Sequence, residues 1–284
     1  MTQMNKVAVV GSGTMGSQIA LQTALSGRHE VTLTDADAAQ LERARVQNEK
    51  LLARQLEKER LTQQQLDAAR GALTYTADLA EALNGADLVI EAIYENLDAK
   101  RELFRKLDEL APPGAILASN SSSIAISRLA SETQRPERCC NLHFFHPVTV
   151  MELCEVVRGP ETSDETAGAA MEFVRSIGRV PVLLQKEIHG FIANRILFAA
   201  ADEALNLLEG GYATVEDIDT AVRKGLNWPM GIFQLLDFSG IDVFYGALKD
   251  RHEKGEGAPP RDTLRKKVEA GELGRKTGKG FYEY

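Results

Sequence analysis

Short apolar runs alternate with amphipathic stretches through the first two-thirds of the chain. The runs lie at residues 7–11, 31–35, 88–93, 115–120, 139–145, 152–157 and 180–184. Apolar runs of strand length, separated by stretches with a helical period, are typical of βαβ units. This part of the chain therefore predicts an α/β fold built on a mostly parallel sheet.

Residues 38–72 do not fit this alternation. The stretch is charged, rich in glutamine and helical in its period. It is also longer than a simple crossover between neighbouring strands requires. We predict a protruding pair of helices here, broken near Leu61 and Thr62.

The pattern changes after Gly190, where helical periods follow one another almost without interruption. Several of these runs are apolar on more than one face, as expected for helices that pack on each other or on a second subunit. Thr214, followed by acids in the next turn, has the form of a helix N-cap. The sequence predicts an α/β domain over residues 1–187 and an all-α domain over residues 188–284.

The closing stretch, residues 274–284, is rich in glycine and basic side chains and ends in aromatic residues. Such a segment could be a solvated tail. Because three of its last four residues are aromatic, we expect it instead to be docked on the fold.

Composition narrows the possible functions. The 284 residues are 44% apolar and carry a formal net charge of −8, which argues against a nucleic-acid partner. The first ten residues lack the features of a signal peptide, and no apolar run reaches membrane-spanning length. Cys139, Cys140 and Cys154 form neither a disulfide framework nor a metal-site spacing. We expect a cytoplasmic protein without a metal or a membrane partner.

A glycine-rich turn carries the first chemical signal. Gly11, Gly13 and Gly16 follow the first apolar run and open a helical stretch. In a dinucleotide site the first glycine permits the tight turn, the second lets the backbone approach a pyrophosphate, and the third allows close helix packing. The helix N-terminus, with Thr14 and Met15 at its start, would offer N–H groups to the phosphates. The whole strand-turn-helix context predicts a Rossmann-type cofactor domain.

The acid that ends the second apolar run indicates which cofactor is bound. Asp35 would accept hydrogen bonds from both hydroxyls of an adenosine ribose, whereas its charge would repel a 2′-phosphate. Ala36 and Asp37 supply no arginine to neutralise such a phosphate. We therefore predict NAD rather than NADP.

The segment NLHFFHPVTVMELCEVV at residues 141–157 closely resembles the signature of the L-3-hydroxyacyl-CoA dehydrogenases. The resemblance extends over nearly the whole chain in the family's order, through residues 89–104, 119–124, 190–195 and 276–282. It implies a Rossmann-type NAD-binding domain followed by a helical domain for substrate binding and dimerisation.

By this resemblance His143 is the general base that takes the proton of the 3-hydroxyl group, and Glu155 is its carboxylate partner. Histidine suits the task because its ordinary pKa lies near neutrality. Ser122 and Asn194 match residues that hydrogen-bond the substrate oxygen or the histidine. From the residues alone, Ser122 and its neighbours could instead cap the helical stretch near Ile124.

The resemblance also assigns residues to the cofactor and to coenzyme A. Glu91 and Asn96 fall beside the nicotinamide ribose, and Lys100, one helical turn further on, falls near either the cofactor or the acyl group. For all three residues the alternative is helix capping or a solvated face. Lys58 matches a phosphate-contacting lysine, and Arg54 lies one helical turn before it. Basic residues on a helix can equally form a solvated face.

Two positions depart from the family's pattern. His146 stands where asparagine is common, and His189 stands where proline usually precedes Gly-Phe-Ile. Neither change removes a predicted catalytic group.

The resemblance implies NAD-dependent interconversion of (S)-3-hydroxyacyl-CoA and 3-oxoacyl-CoA, with a short substrate such as 3-hydroxybutyryl-CoA. This reaction is compatible with fatty-acid metabolism, including β-oxidation, and equally with butanoate or aromatic-acid degradation. We expect the helical domain to form a homodimer. One alternative keeps the fold but replaces the thioester with a non-CoA 3-hydroxy acid. Another is a noncatalytic NAD-binding structural protein.

Overall fold

A computed structural model describes residues 4–255 and 257–284. They form two compact units, one through Phe191 and the other from Ile192. The predicted domain boundary after residue 187 lies four residues earlier than this division.

An eight-stranded sheet forms the centre of the N-terminal unit. Its strands are β1 Lys6–Val10, β2 Glu30–Thr34, β3 Leu73–Thr76, β4 Leu88–Glu91, β5 Ile116–Ser119, β6 Cys139–Phe144, β7 Leu153–Arg158 and β8 Val180–Leu184. Their order across the sheet is β3-β2-β1-β4-β5-β6-β7-β8. Neighbouring strands are parallel except for β6 and β7, which are antiparallel. The predicted mostly parallel sheet is confirmed.

The sequence pattern missed strand β3. This strand lies at an open edge of the sheet, pairs only with β2 among the described strands, and buries only its first residue, Leu73. A short edge strand with so little burial has no strong apolar signature.

Helices cover both faces of the sheet. They are α1 Thr14–Leu25, α2 Ala38–Glu57, α3 Gln63–Ala72, α4 Leu79–Leu83, α5 Leu97–Leu110, α6 Ser127–Ala130 and α7 Asp164–Ser176, with a 3₁₀ turn at Pro136–Arg138. Side chains alternate between two apolar layers, as strand geometry requires. Val7 and Val9 of β1 lie in one layer, while Ala8 and Val10 lie in the other.

The predicted helical pair is α2 and α3. Asp37 caps α2 by accepting a hydrogen bond from the Ala39 N–H at 2.8 Å, and Thr62 forms a capping box with Gln65 at the start of α3. Leu52 of α2 packs with Leu66 of α3 and Leu21 of α1. The pair is therefore anchored to the sheet through α1.

The C-terminal unit is helical. Its helices are α8 Ala193–Glu209, α9 Val215–Gly225, α10 Ile232–Ser239, α11 Ile241–Glu253 and α12 Asp262–Glu269, followed by a 3₁₀ turn at Arg275–Thr277. Thr214 caps α9 as predicted, since its side chain accepts a hydrogen bond from the Asp217 N–H at 3.2 Å. The core includes Phe198, Phe233 and Phe244.

Two buried aspartates hold the aromatic segment after α12. Asp237 accepts hydrogen bonds from the Phe281 and Tyr282 N–H groups, at 2.8 and 2.9 Å, and from the Tyr284 hydroxyl at 3.1 Å. Asp219 accepts a hydrogen bond from the Tyr282 hydroxyl at 2.9 Å. The segment is docked, as the sequence predicts.

The cysteines lie in the sheet region. Cys139, Cys140 and Cys154 are all buried and free. Burial raises the pKa of the Cys139 thiol to about 12 and raises the pKa values of the Cys140 and Cys154 thiols well above their usual range. None of the helices in the described ranges is long and apolar enough to cross a membrane.

Candidate active site

The glycine-rich turn connects β1 to α1. Gly11 has a φ of 103°, which a side chain would strain. A Cβ on Gly16 would collide with the Gly11 carbonyl oxygen, whereas a Cβ on Gly13 would meet no atom within 4 Å. The backbone is thus packed tightly on one side of the turn and open at Gly13. This is the arrangement that a closely approaching diphosphate needs.

The N-terminus of α1 has no side-chain cap. Gly13 occupies the cap position, so the N–H groups of the first turn, beginning at Thr14 and Met15, are not satisfied by a capping side chain. Free N–H groups and the positive end of a helix dipole favour an anion. The residues present therefore fit the pyrophosphate of a dinucleotide.

Asp35 follows the end of β2 beside this turn. Its Oδ2 accepts hydrogen bonds from the Ser12 N–H at 2.7 Å and the Ser12 hydroxyl at 2.9 Å, and its Oδ1 accepts one from the Asp37 N–H at 2.9 Å. The carboxylate is fixed in place and lines a cavity of about 530 Å³ together with Gly11 and Gly13. Because Oδ1 accepts only one of these hydrogen bonds, its second lone pair can still accept a hydrogen bond from a ribose hydroxyl.

Glu91 and Lys100 are almost fully buried and form an ion pair of 2.6 Å. Glu91 also accepts hydrogen bonds from the Ser119 hydroxyl at 2.6 Å and the Ile93 N–H at 2.8 Å. Both predicted cofactor residues thus take part in a buried network that links β4, α5 and β5. In the structure Glu91 and Lys100 form a buried structural contact at the carboxyl ends of β4 and β5.

The same network reaches the serine-rich loop after β5. The Lys100 Nζ lies 3.2 Å from the Glu95 Oε2. The Glu95 Oε1 accepts hydrogen bonds from the Ser121 and Ser123 hydroxyls. Burial alone raises the pKa of the Glu95 carboxyl, but the Lys100 charge and the serine hydrogen bonds outweigh it and hold that pKa below its usual value. Ser122 lies between the two tethered serines and, in the described part of the chain, makes no hydrogen bond of its own through its hydroxyl. It is thus available to a ligand.

Asn96 is the N-cap of α5, where its Oδ1 accepts a hydrogen bond from the Ala99 N–H at 2.9 Å. The structure thus records the capping alternative for this predicted cofactor residue. A second amide connects the serine-rich loop to β6, since Asn120 accepts a hydrogen bond from the Phe144 N–H at 3.0 Å. The loop that carries Ser122 is therefore held beside the end of β6.

His143 and Glu155 are directly opposite each other on the antiparallel strands β6 and β7. The His143 Nδ1 lies 2.8 Å from the Glu155 Oε2, and the two residues are 6% and 0% exposed. Because a carboxylate can only accept, the proton of the neutral imidazole resides on Nδ1, which leaves Nε2 with a free lone pair. The pair has the geometry of a general base oriented by an acid.

Aromatic rings surround this imidazole. The ring centroid of Phe145 lies 4.5 Å from that of His143, and the ring centroid of Phe191 lies 5.4 Å from it. The sequence marks neither phenylalanine as a site residue, since no motif spacing distinguishes a ring that packs on a histidine from an ordinary core ring.

Sequence models of one family match nearly the entire chain. The model for the NAD binding domain of 3-hydroxyacyl-CoA dehydrogenase matches residues 6–188, and the model for the C-terminal domain of that family matches residues 190–284. The chain belongs to the 3-hydroxyacyl-CoA dehydrogenase family. It is an NAD-dependent oxidoreductase, so the predicted family, enzyme class and cofactor are confirmed.

Individual relatives of this dehydrogenase cover its full length. A probable 3-hydroxybutyryl-CoA dehydrogenase from Bacillus subtilis is 40% identical over 285 residues, or 99% of this chain and 98% of the relative. The crystal structure of an (S)-3-hydroxybutyryl-CoA dehydrogenase from Ralstonia eutropha has a TM-score of 0.92 at 35% identity and covers 99% of each chain. The structure of a diketoreductase acting on dicarbonyl compounds has a TM-score of 0.91 at 37% identity and covers 100% of each chain.

The other predicted substrate residues of the dehydrogenase are distributed over both units. Asn194 is the second residue of α8, in its first turn, and is half-buried. Arg54 lies in the last turn of α2, and Lys58 follows as its C-cap. Lys50, Arg54 and Lys58 follow one another at four-residue spacing, are exposed, and make no ion pair with other described residues. They are therefore free to meet an anionic ligand.

The two departures from the family's pattern lie on connecting segments. His146 is exposed in the connection between β6 and β7, three residues after His143. His189 is half-buried in the segment between β8 and α8. Both replacements lie outside the regular elements of the dehydrogenase fold.

Proposed function

We propose that His143 is the general base of this dehydrogenase and that Glu155 orients it. The observation that carries the proposal is the 2.8 Å contact between the His143 Nδ1 and the Glu155 Oε2, with both side chains buried. In the oxidative direction the Nε2 takes the proton of the 3-hydroxyl group and becomes part of an imidazolium. The Glu155 carboxylate stabilises that cation, and the imidazolium returns the proton in the reductive direction.

Bound NAD supplies the acceptor for the hydride that leaves C3 of the substrate. The chain's own part is to hold the dinucleotide, through the α1 N-terminus and Asp35, and to move one proton at His143. Ser122 and Asn194 donate hydrogen bonds to the substrate oxygen in this proposal. Their small dipoles can stabilise developing charge without adding a competing ion.

The substrate in this proposal is a short (S)-3-hydroxyacyl-CoA such as 3-hydroxybutyryl-CoA. The Bacillus subtilis relative, which the chain matches over its full length, supports the short acyl group. Lys58 and Arg54 are assigned to the coenzyme A phosphates because they are exposed cations without an ion-pair partner among the described residues. Phosphate recognition by such side chains is charge-assisted and sensitive to salt.

A homodimer formed through the helical unit and a cytoplasmic location complete the proposal. Exposed apolar side chains on this unit, among them Tyr212, Leu226 and Val243, support association. Sedimentation equilibrium of the protein and of a Leu226→Asp, Val243→Asp double variant tests the dimer. A monomeric parent protein would contradict it.

The deciding experiment follows NADH oxidation with acetoacetyl-CoA and, in parallel, with free acetoacetate. We expect rapid oxidation with the thioester alone. His143→Gln should retain NADH binding and lose at least about two orders of magnitude in kcat, the scale of general acid–base catalysis. Near-normal turnover by His143→Gln would refute the assignment of the base.

The second candidate is reduction of a dicarbonyl compound that carries no coenzyme A. The full-length similarity to the diketoreductase favours this alternative over other non-CoA substrates. Equal rates with a free diketo ester and with acetoacetyl-CoA would select it. If NADH binds and neither substrate is reduced, the noncatalytic alternative is selected.

A further inference from the structure

Phe191 has an unusual backbone conformation. Its φ is 47°, in the left-handed region that favours glycine, and it directly follows Gly190, whose φ is 75°. A non-glycine residue in this region is disfavoured relative to the right-handed conformation. Such a conformation persists only where the surroundings hold it.

The surroundings of Phe191 are a small apolar cluster. Its side chain is 2% exposed and packs with Val157 of β7 and Leu184 of β8. Val157 and Leu184 are partners in the parallel pairing of these strands. The ring is therefore seated on one face of the β7–β8 pair.

That face also carries the carboxylate of the catalytic pair. Glu155 and Val157 are two residues apart on β7, so their side chains point to the same face of the sheet. His143, opposite Glu155, places its ring 5.4 Å from the Phe191 ring with an interplanar angle of 59°. The tilted geometry is a favourable arrangement for two aromatic rings.

A hydrogen bond at Nδ1 fixes one atom of the imidazole but leaves the ring free to rock about it. Phe145 and Phe191 both pack against the imidazole ring, with interplanar angles of 57° and 59°. Contacts of this kind restrict the ring plane and hence the direction of the Nε2 lone pair. A displacement of about 1 Å at a catalytic group can cost about a hundredfold in rate.

We propose that Phe191 is a positioning residue for His143, held in its left-handed conformation so that its ring braces the imidazole. This role rests on the proposed function of His143 as the base. It predicts a loss in kcat with little change in substrate or cofactor binding, because the Phe191 ring acts on the base alone.

The test uses Phe191→Ala and Phe191→Gly, which both remove the ring but differ in backbone strain. Phe191→Leu keeps apolar volume without a ring. Phe173→Leu is the matched control, since Phe173 is also 2% exposed and lies in α7, in the apolar layer on one face of the sheet. We expect kcat to fall at least about tenfold in the Ala and Gly variants. The KM values for NADH and acetoacetyl-CoA should change less than about threefold.

A spectroscopic signature reports the imidazole directly in the protein without cofactor. The hydrogen-bonded Nδ1 proton of His143 should give a proton resonance that His143→Gln removes. We expect Phe191→Ala and Phe191→Gly to shift or broaden this resonance, with Phe191→Leu intermediate and Phe173→Leu unchanged. If Phe191→Ala does not fold, the pair Phe191→Leu and Phe173→Leu still decides the question.

Two results would overturn the proposal. One is a kcat within twofold of the parent together with an unchanged resonance in both ring-deleted variants. The other is an equal loss of kcat in Phe173→Leu and Phe191→Leu, which would reduce the effect to general packing. Failure of the proposed function is a separate result. It would appear as turnover in His143→Gln, while the His143 Nδ1 resonance of the parent protein and of the Phe191 variants would still report the contact of Phe191.

Discussion

Each buried histidine of the N-terminal unit has its tautomer fixed by what lies next to Nδ1. In His143 the neighbour is a carboxylate, and in His29 it is the Met4 carbonyl oxygen at 2.8 Å. Both acceptors hold the proton on Nδ1. The two imidazoles differ at Nε2, because the Nε2 of His29 lies 2.6 Å from the hydroxyl of Ser176, the last residue of α7.

The stability of the fold should depend on pH through His29. Burial lowers the pKa of this imidazole below 6.5; the Met4 carbonyl partly offsets the effect and the Arg28 charge adds to it. The unfolded chain therefore binds the proton more readily, so stability is fully present above pH 6.5 and is lost as the pH falls below it. Urea unfolding of the parent between pH 7.5 and 5.5 should show this decline.

His29→Gln should flatten that part of the profile. An equally steep decline in the variant would assign the pH dependence to other groups. The exposed His252 offers the matched control, because His252→Gln should leave the slope unchanged.

At the scale of elements, the N-terminus of α1 and the start of α5 serve different purposes. The α1 turn is open at Gly13, where an added Cβ would meet no atom of the described residues within 4 Å. The start of α5 is closed by the ion pair of Lys100 and Glu91 and by the Asn96 cap. The N-terminus of α1 is open to a ligand, whereas the start of α5 stabilises the neighbouring strand ends.

Gly13→Ala should weaken NADH binding at least about tenfold, because the new methyl group occupies the space that a pyrophosphate needs. The free energy of unfolding without cofactor should change by less than about 1 kcal/mol, since the site is open and Gly13 has an extended conformation. Fluorescence titration with NADH and urea unfolding measure the two effects. Gly168→Ala, also at an open position but within α7, should leave NADH affinity unchanged.

Lys100→Met should lower the free energy of unfolding by about 3–5 kcal/mol, because it leaves the Glu91 carboxylate buried without its cation. Lys106→Met removes an exposed pair with Glu102 on the same helix and should cost less than about 1 kcal/mol. Urea unfolding of both variants without cofactor makes the comparison. Equal costs would mean that the buried network does not brace the strand ends.

At the scale of the whole molecule, the sequence predicts the order of elements better than their pairing. Apolar runs locate every strand except β3, and the change of period locates the helical unit. Residue spacing alone does not place Glu155 opposite His143, because that depends on the register of an antiparallel pair joined by a loop. The sequence does not reveal the contact of Phe191 with His143 either, since the two residues are 48 positions apart.

Hydrogen bonds between residues far apart in sequence also stabilise the helical unit. Asp237→Asn should lower the free energy of unfolding by at least about 2 kcal/mol. The substitution replaces one acceptor oxygen with an NH₂ group, which would face an N–H donor of Phe281 or Tyr282 that now binds the carboxylate. Asp250→Asn, in an exposed pair with Lys254, is the matched change and should cost less than about 1 kcal/mol. Thermal unfolding followed by circular dichroism compares them, and equal midpoints would refute the role of Asp237.

The docking of the aromatic segment on Asp237 has a consequence for biosynthesis. Domains generally fold as units during translation. The N-terminal unit has all eight strands of its sheet once β8 has left the ribosome. The helical unit cannot do the same, because the described hydrogen-bond donors to Asp237 are translated after all five of the helices described in this unit. Until Phe281–Tyr284 emerge, α10 carries an uncompensated acid in the core of the unit. A nascent chain stalled before this point should therefore present a finished cofactor domain attached to an unfinished helical one.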